Sequence, residues 1–272
     1  MNNTYFSDIH NHIIFSIDDG AKDLDKSIQM VEQAADCNIG QIAATPHVTD
    51  LTDEIIVEHI KANFNHLKDE VAKRNIPVDL FLAAELIYND RINYWLDKTW
   101  VTLNGNESYF LFELPLFDLP NRVSDFIFQT NLKGFRPILA HPERYVYLHK
   151  HLDRLIQWHN QGCLMQMNAG SLTGQFGNEV MSVAKKLLAV NLYSFAASDA
   201  HDTESRNFKV LPKAYEIAMD LTPSENVDNL FKLNPDKAIR GIPVSQTLID
   251  EELIQKNWYD KLINSIKKFK LH

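Results

Sequence analysis

Tyr5-Phe6-Ser7-Asp8-Ile9-His10-Asn11-His12 decides the fold: a short apolar run that ends in two histidines set two residues apart. Side chains two apart on a strand point to the same face, so both imidazoles can reach one ion. A single pair of this kind carries little weight. Its context supplies the rest, because five of the six further apolar runs also end in a histidine or an acid.

Residues 39–44 run into Thr45-Pro46-His47, and residues 78–84 end at Glu85. Residues 109–112 end at Glu113, 137–140 at His141 and 163–167 at Asn168. The last run, 192–197, leads into Ser198-Asp199-Ala200-His201, which repeats the alternation of the first. Between the runs lie stretches of helical period near 23–37, 54–74, 122–132, 152–161, 179–190 and 206–219. Short apolar runs alternating with helices predict an α/β fold with parallel strands. In barrels of such units every strand presents its carboxyl end on one face, and that face carries the chemistry. First and last strands are neighbours in a closed barrel, so the two alternating motifs are expected to converge.

Six of the seven expected strands end in a metal-binding residue type, and five of the eleven histidines sit at such ends. Imidazoles mixed with carboxylates suit Mn²⁺, Zn²⁺ or Fe²⁺ rather than Mg²⁺ or Ca²⁺ alone. The donors are too many for one ion and imply two or three. His59, His66, His149, His151, His159 and His272 fall in helical or tail segments and are expected at the surface without a role. Asp18 and Asp19 are equally readable as a turn with Gly20. Tyr88, Tyr94, Trp95 and Trp100 are read as packing, with a substrate groove as the alternative.

The chain has 272 residues, of a size that one barrel domain of ~250 residues accommodates. A net charge of −9 argues against a nucleic-acid surface and suits carboxylates awaiting cations. The two cysteines, Cys37 and Cys163, form no disulfide framework and read as buried free thiols of a reducing compartment. A cysteine-dependent phosphatase needs an arginine six residues after its thiolate. Here Ala43 and Ala169 stand at those positions, which excludes that mechanism. Neither a signal peptide nor a membrane span is legible, so a cytoplasmic protein is expected. Residues 1–245 are expected as the barrel and 246–272 as a helical extension, acidic early and lysine-rich late.

Seven stretches together carry a resemblance: DIHNHIIFSIDDGAKD (8–23), ATPH (44–47), AAE (83–85), FELP (112–115), AHPERY (140–145), MNAGS (167–171) and SDAH (198–201). At these residues the chain resembles the PHP (polymerase and histidinol phosphatase) superfamily. More narrowly it is similar to the manganese-dependent tyrosine-protein phosphatases of capsule and exopolysaccharide loci, the CpsB/CapC/YwqE type. The resemblance covers about residues 8–243. It implies a distorted (β/α)7, TIM-like barrel, the PHP fold, holding a trinuclear manganese centre.

Carried over, His10, His12, Glu85 and Asp199 would hold one ion. Glu85 would bridge to a second, shared with Glu113 and His141, while Asp19, His47 and His201 would hold the third. Arg144 and Arg206 would grip phosphate, although the surroundings of Arg206 match less closely. The implied reaction is in-line attack on phosphotyrosine by a hydroxide bridging the ions, with no phosphoenzyme, and with Asp199 or a nearby histidine protonating the leaving group. The implied partner is a phosphotyrosine protein, namely a bacterial tyrosine kinase that governs polysaccharide export. A homo-oligomer is compatible with the sequence. Alternatives from the same likeness are a histidinol-phosphate or other small-molecule phosphoesterase, a nuclease, and a non-catalytic docking module.

Overall fold

Among the described residues, nine parallel strands stand where seven were expected, and helices alternate with them. A computed structural model describes residues 5–246 and Ile249. The expected helical extension therefore lies outside the described residues but for Gln246 and Ile249, as does His272. The strands are β1 (Phe6–Asp8), β2 (Ile39–Ala44), β3 (His47–Val48), β4 (Asp79–Leu82), β5 (Glu85–Ile87), β6 (Tyr109–Glu113), β7 (Arg136–Ala140), β8 (Leu164–Asn168) and β9 (Phe195–Ala197). The helices are α1 (Leu24–Asp36), α2 (Glu54–Lys73), α3 (Ile92–Leu96), α4 (Val123–Leu132), α5 (Leu152–Asn160), α6 (Ala169–Thr173), α7 (Asn178–Ala189), α8 (Val210–Met219), α9 (Ser224–Asp228) and α10 (Asn234–Ile239). None of the described helices is long and apolar enough to cross a membrane.

The helices start where the local chemistry directs. Asp23 accepts the Lys26 amide at 2.8 Å, and Asp53 accepts that of Ile56 at 2.9 Å. Each satisfies a donor that the first helical turn leaves unpaired. From α1, Ile28, Met30, Val31 and Ala34 are buried. His159 corrects the expectation of a surface histidine. It follows Trp158 on the buried face of α5, four residues after Leu155, and is 2% exposed. Trp95 is 1% exposed and meets Trp100 edge to face, so that pair serves packing, as expected.

One closed ring of seven strands is not what the hydrogen bonds draw. Strands β1, β2 and β4 form one parallel sheet, and β3-β5-β6-β7-β8-β9 form another. Past two of the expected strands the chain breaks, at Thr45-Pro46 and at Ala83-Ala84, and resumes as the short strands β3 and β5, which the sequence reading does not include. Pro46 has no N–H to continue a ladder, which accounts for the first break. Single bonds span the gap: the Ala83 amide reaches Ala44 O at 2.9 Å, and the Glu85 amide reaches Pro46 O at 3.0 Å. The short pieces β3 and β5 pair His47 with Glu85 in register, which sets two donors side by side.

The first and last strand ends do converge. Asn11 and Ala200 form an isolated parallel bridge, and the Asp199 amide donates to His10 O at 2.8 Å. Asp8, fully buried, ties the same junction by accepting the amides of His10 (2.9 Å) and Ser198 (3.1 Å). Both faces of the strands are covered, which explains their near-continuous apolar runs. Small side chains (Ala43, Ala83, Ala140, Ala197) share an inner core with Ile9, Leu111 and Ile138. A larger core lies between strands and helices.

Candidate metal centre

His10, His12, Asp19, His47, Glu85, Glu113, His141, Asp199 and His201 all come together at the carboxyl ends of the strands, in overlapping sets able to hold metal ions. The sets are His12–Asp19–His47–His201, His10–His12–Glu85, His10–His141–Asp199 and His47–Glu85–Glu113. This grouping differs from the one the resemblance implies: His12 also joins the Asp19 set, and His141 joins Asp199. Glu85 stands in two sets, as a bridging carboxylate would.

Backbone geometry aims these side chains. His141 and Asp199 are held at φ 34° and φ 54°, a left-handed region that costs a non-glycine residue about 1–3 kcal/mol. The turn carrying Asp18 and Asp19 crosses so close to His12 that a Cβ on Gly20 would fall 2.0 Å from His12 O. Only glycine fits there.

Three imidazoles are fixed from behind. His10 Nδ1 donates to Gln166 Oε1 at 2.8 Å, and the Gln166 amide nitrogen donates to Met167 O at 2.6 Å, which sets the amide's orientation. His12 Nδ1 donates to Asp18 Oδ2 at 2.8 Å, and His201 Nδ1 to Asp199 O at 2.9 Å. Each bond turns Nε2 inward, the way metal-binding histidines are oriented. Inside, His10 Nε2 lies 3.1 Å from Glu85 Oε2 and 3.4 Å from Asp199 Oδ1. His141 Nε2 lies 3.4 Å from Glu85 and 3.6 Å from Glu113. Buried donor atoms without a hydrogen bond include His10 Nε2, His12 Nε2, His47 Nδ1 and Glu85 Oε1. Unsatisfied atoms cost free energy unless something else satisfies them, and divalent cations fit this donor set.

Asp18, read as a possible turn residue, also accepts the His47 amide at 3.0 Å and the Gly20 amide at 3.0 Å. It orients two imidazoles. Gln166 and Asn168 had no assigned role. Gln166 escaped notice because its partner is far away in the chain, whereas the Asn168 strand end was a visible signal. Asn168 Nδ2 donates to Asp199 Oδ2 at 2.7 Å. Arg144 reaches the same oxygen at 3.0 Å and Arg206 at 2.5 Å. Asp199 thus turns one oxygen to the imidazoles and the other to two guanidiniums. Although burial opposes ionisation, His10, His12 and Arg206 hold its carboxyl well below the usual range. That environment suits a ligand and anchor better than the proton donor the resemblance implied.

Charge within the cluster is strongly coupled. Burial disfavours a charged His10, yet Glu85 and Asp199 raise its pKa to about 9. Burial and the neighbouring Glu85 push Glu113 up to about 7. Burial and Arg144 lower His141 to about 4. In the metal-free chain His10 therefore keeps its proton below pH 9, and a cation must displace it. Mn²⁺ affinity is expected to fall about tenfold per pH unit, for each proton displaced, as pH drops from 9 towards 6. Titration calorimetry in two buffers of different ionisation enthalpy checks this. Affinity that stays flat from pH 6 to 8, with no proton release, contradicts it.

Imidazoles and carboxylates at parallel strand ends, with two arginines beside them, define the α/β metal-dependent hydrolase class. Within that class the chain belongs to the capsular polysaccharide synthesis family CpsB/CapC, whose model matches residues 6–240. It is 29% identical to CapC of Staphylococcus aureus over 255 residues, covering 94% of this chain and 99% of that one. It is also 29% identical to the tyrosine-protein phosphatase YwqE of Bacillus subtilis over 231 residues, covering 83% of this chain and 91% of that one. A crystal structure from work on YwqE of Bacillus subtilis and CpsB of Streptococcus pneumoniae, described as metal-dependent tyrosine phosphatases, superposes with a TM-score of 0.81. That match has 29% identity and covers 88% of this chain and 96% of the other.

Proposed function

We propose that the protein is a metal-dependent protein-tyrosine phosphatase acting in capsular or exopolysaccharide synthesis. The observation that carries this is the shared carboxylate of Asp199, with inward-facing imidazoles on one oxygen and Arg144 and Arg206 on the other. Cations and an anionic phosphoryl group would then lie next to each other. His10, His12, Asp19, His47, Glu85, Glu113, His141, Asp199 and His201 would hold two or three ions, with Mn²⁺ first and Fe²⁺ or Zn²⁺ as alternatives. Bound ions supply Lewis acidity, neutralising charge on phosphoryl oxygens and lowering the pKa of bound water towards neutrality.

The chain's own groups do the rest. Arg144 and Arg206 orient the phosphate and neutralise its charge through charge-assisted hydrogen bonds. Asn168 and the Asp199 carboxylate keep both guanidiniums in place. A tyrosine leaving group has a pKa of about 10, so its departure asks little of a proton donor. The cysteines stay out of the chemistry: Cys163 is buried, and burial pushes its thiol well up.

We read the scaffold as a distorted seven-position barrel. The bonds across the Thr45-Pro46 and Ala83-Ala84 breaks and the Asn11–Ala200 bridge support this reading. Residues 1–245 would form that unit, in the cytoplasm, with an autophosphorylated tyrosine kinase as its partner. Elemental analysis of the purified chain, paired with Mn²⁺ assays of a phosphotyrosine peptide and of histidinol phosphate, tests the reading. We expect two or three equivalents of transition metal and preference for the peptide. Preference for histidinol phosphate would move the assignment to the small-molecule phosphoesterases.

A further inference from the structure

A groove of about 480 Å³ opens beside Arg144, lined by Leu116, Phe117, Val146, Tyr147 and Phe176. Pockets of ~300–1,000 Å³ hold small organic ligands, so this one is large enough for more than a single ring. Its outer rim is costly to leave in water: Phe117 is 89% exposed, Val146 61% and Leu116 40%. Contiguous exposed apolar surface of this kind marks a binding face.

The groove grows out of the metal-bearing loops. Leu116 and Phe117 follow Glu113 at the end of β6, and Val146 and Tyr147 follow His141 at the end of β7. These loops are tied together. Tyr147 donates to Pro115 O at 2.8 Å and stacks on Tyr145 with ring centres 5.7 Å apart. Tyr145 accepts the Leu114 amide at 2.9 Å and donates to Ala140 O at 3.1 Å. At the inner end the Arg144 guanidinium lies 4.5 Å over the Phe176 ring while bonding to Asp199. Among the described residues Arg144 is the one charged side chain in the lining, and Asp118 lies near enough to Tyr147 to help raise its pKa.

We propose that this groove seats the phosphotyrosine ring of a peptide together with one adjacent apolar side chain. The proposal rests on the phosphatase reading and adds a sequence preference to it. A phosphate held by Arg144 places its aryl ester against Phe176 and Tyr147. The flanking side chain then covers Phe117, Val146 and Leu116.

The test uses the full chain in Mn²⁺ with three substrates: a phosphotyrosine peptide flanked by leucines, the same peptide flanked by glycines, and p-nitrophenyl phosphate. We expect the leucine-flanked peptide to exceed the glycine-flanked one in kcat/KM by about tenfold, through KM. F117S and V146S each alter an exposed side chain. Either should shrink that preference to about twofold and leave p-nitrophenyl phosphate turnover unchanged, while Phe117→Tyr keeps the preference. Equal turnover of both peptides by the unaltered chain, or a preference that survives F117S together with V146S, overturns the proposal. A uniform fall on all three substrates also overturns it, because the groove would then act through the metal centre. No hydrolysis of any of the three by the unaltered chain instead sinks the phosphatase reading itself.

Discussion

Replacing His141 with alanine is expected to lower turnover of a phosphotyrosine peptide by on the order of 10³-fold in Mn²⁺-replete buffer. The imidazole stands at the end of β7 on a left-handed backbone, 2% exposed, with Nε2 facing Glu85 and Glu113. Its pKa is lowered to about 4 by burial and Arg144, so near neutral pH it offers a lone pair with no proton to lose. Around it, His10 must give up a proton and Glu113 titrates near 7. His141 is thus a donor ready without deprotonation, and removing it takes one metal-binding nitrogen away from Glu85 and Glu113. The variant should bind fewer equivalents of metal by elemental analysis. Its fold should persist, because the strand ladder on β7 uses backbone groups alone. Circular dichroism and thermal melting check that point. Full turnover by the variant at saturating Mn²⁺ would falsify the metal assignment.

The strand ends were legible because parallel strands deliver their terminal residues to one face. Any histidine or acid that follows an apolar run then lands near the others, as His47, Glu85 and His141 do. What holds those residues was not legible. Gln166 lies 156 residues from His10, and only the folded sheet makes them partners. Asp18 looked like a turn acid because its true contacts, His12 Nδ1 and the His47 amide, are set by how the loop crosses β3. The short strands β3 and β5 were hidden for a different reason. They are two and three residues long and start at His47 and Glu85, the residues read as the metal-binding ends of the preceding runs, so neither forms an apolar run of its own. Helices α9 and α10 escaped notice because Pro223 and Pro235 break the window in which helical period is counted. The apolar groove was also invisible. Leu116 and Phe117 sit in an acidic, proline-rich loop that shows no periodicity at all.

Arg206 was the weakest residue of the sequence reading, and the structure gives it a specific place. Its loop is shaped by Asp202, whose Oδ1 accepts the amides of Glu204 (2.6 Å), Ser205 (2.6 Å) and Arg206 (3.1 Å). The guanidinium then meets the Asp199 oxygen that Arg144 also holds. Both guanidiniums meet one carboxylate oxygen, and Arg206 also lies 4.0 Å from Asp19, so their remaining N–H groups stand ready where the phosphate is expected. Arg206→Ala and Arg144→Ala should therefore each lower kcat/KM by about 10²–10³-fold without changing metal content. Their combined effect should fall short of the product of the two, because both act on one phosphoryl group and one carboxylate. Lysine at either position should restore only part of the activity, since an ammonium cannot bridge Asp199 and phosphate with the planar fork of arginine. Steady-state kinetics of the two single variants, the double variant and the lysine pair decide the matter. If Arg206→Ala stays within about threefold of the unaltered chain, Arg206 only neutralises Asp199, and Arg144 holds the phosphate alone.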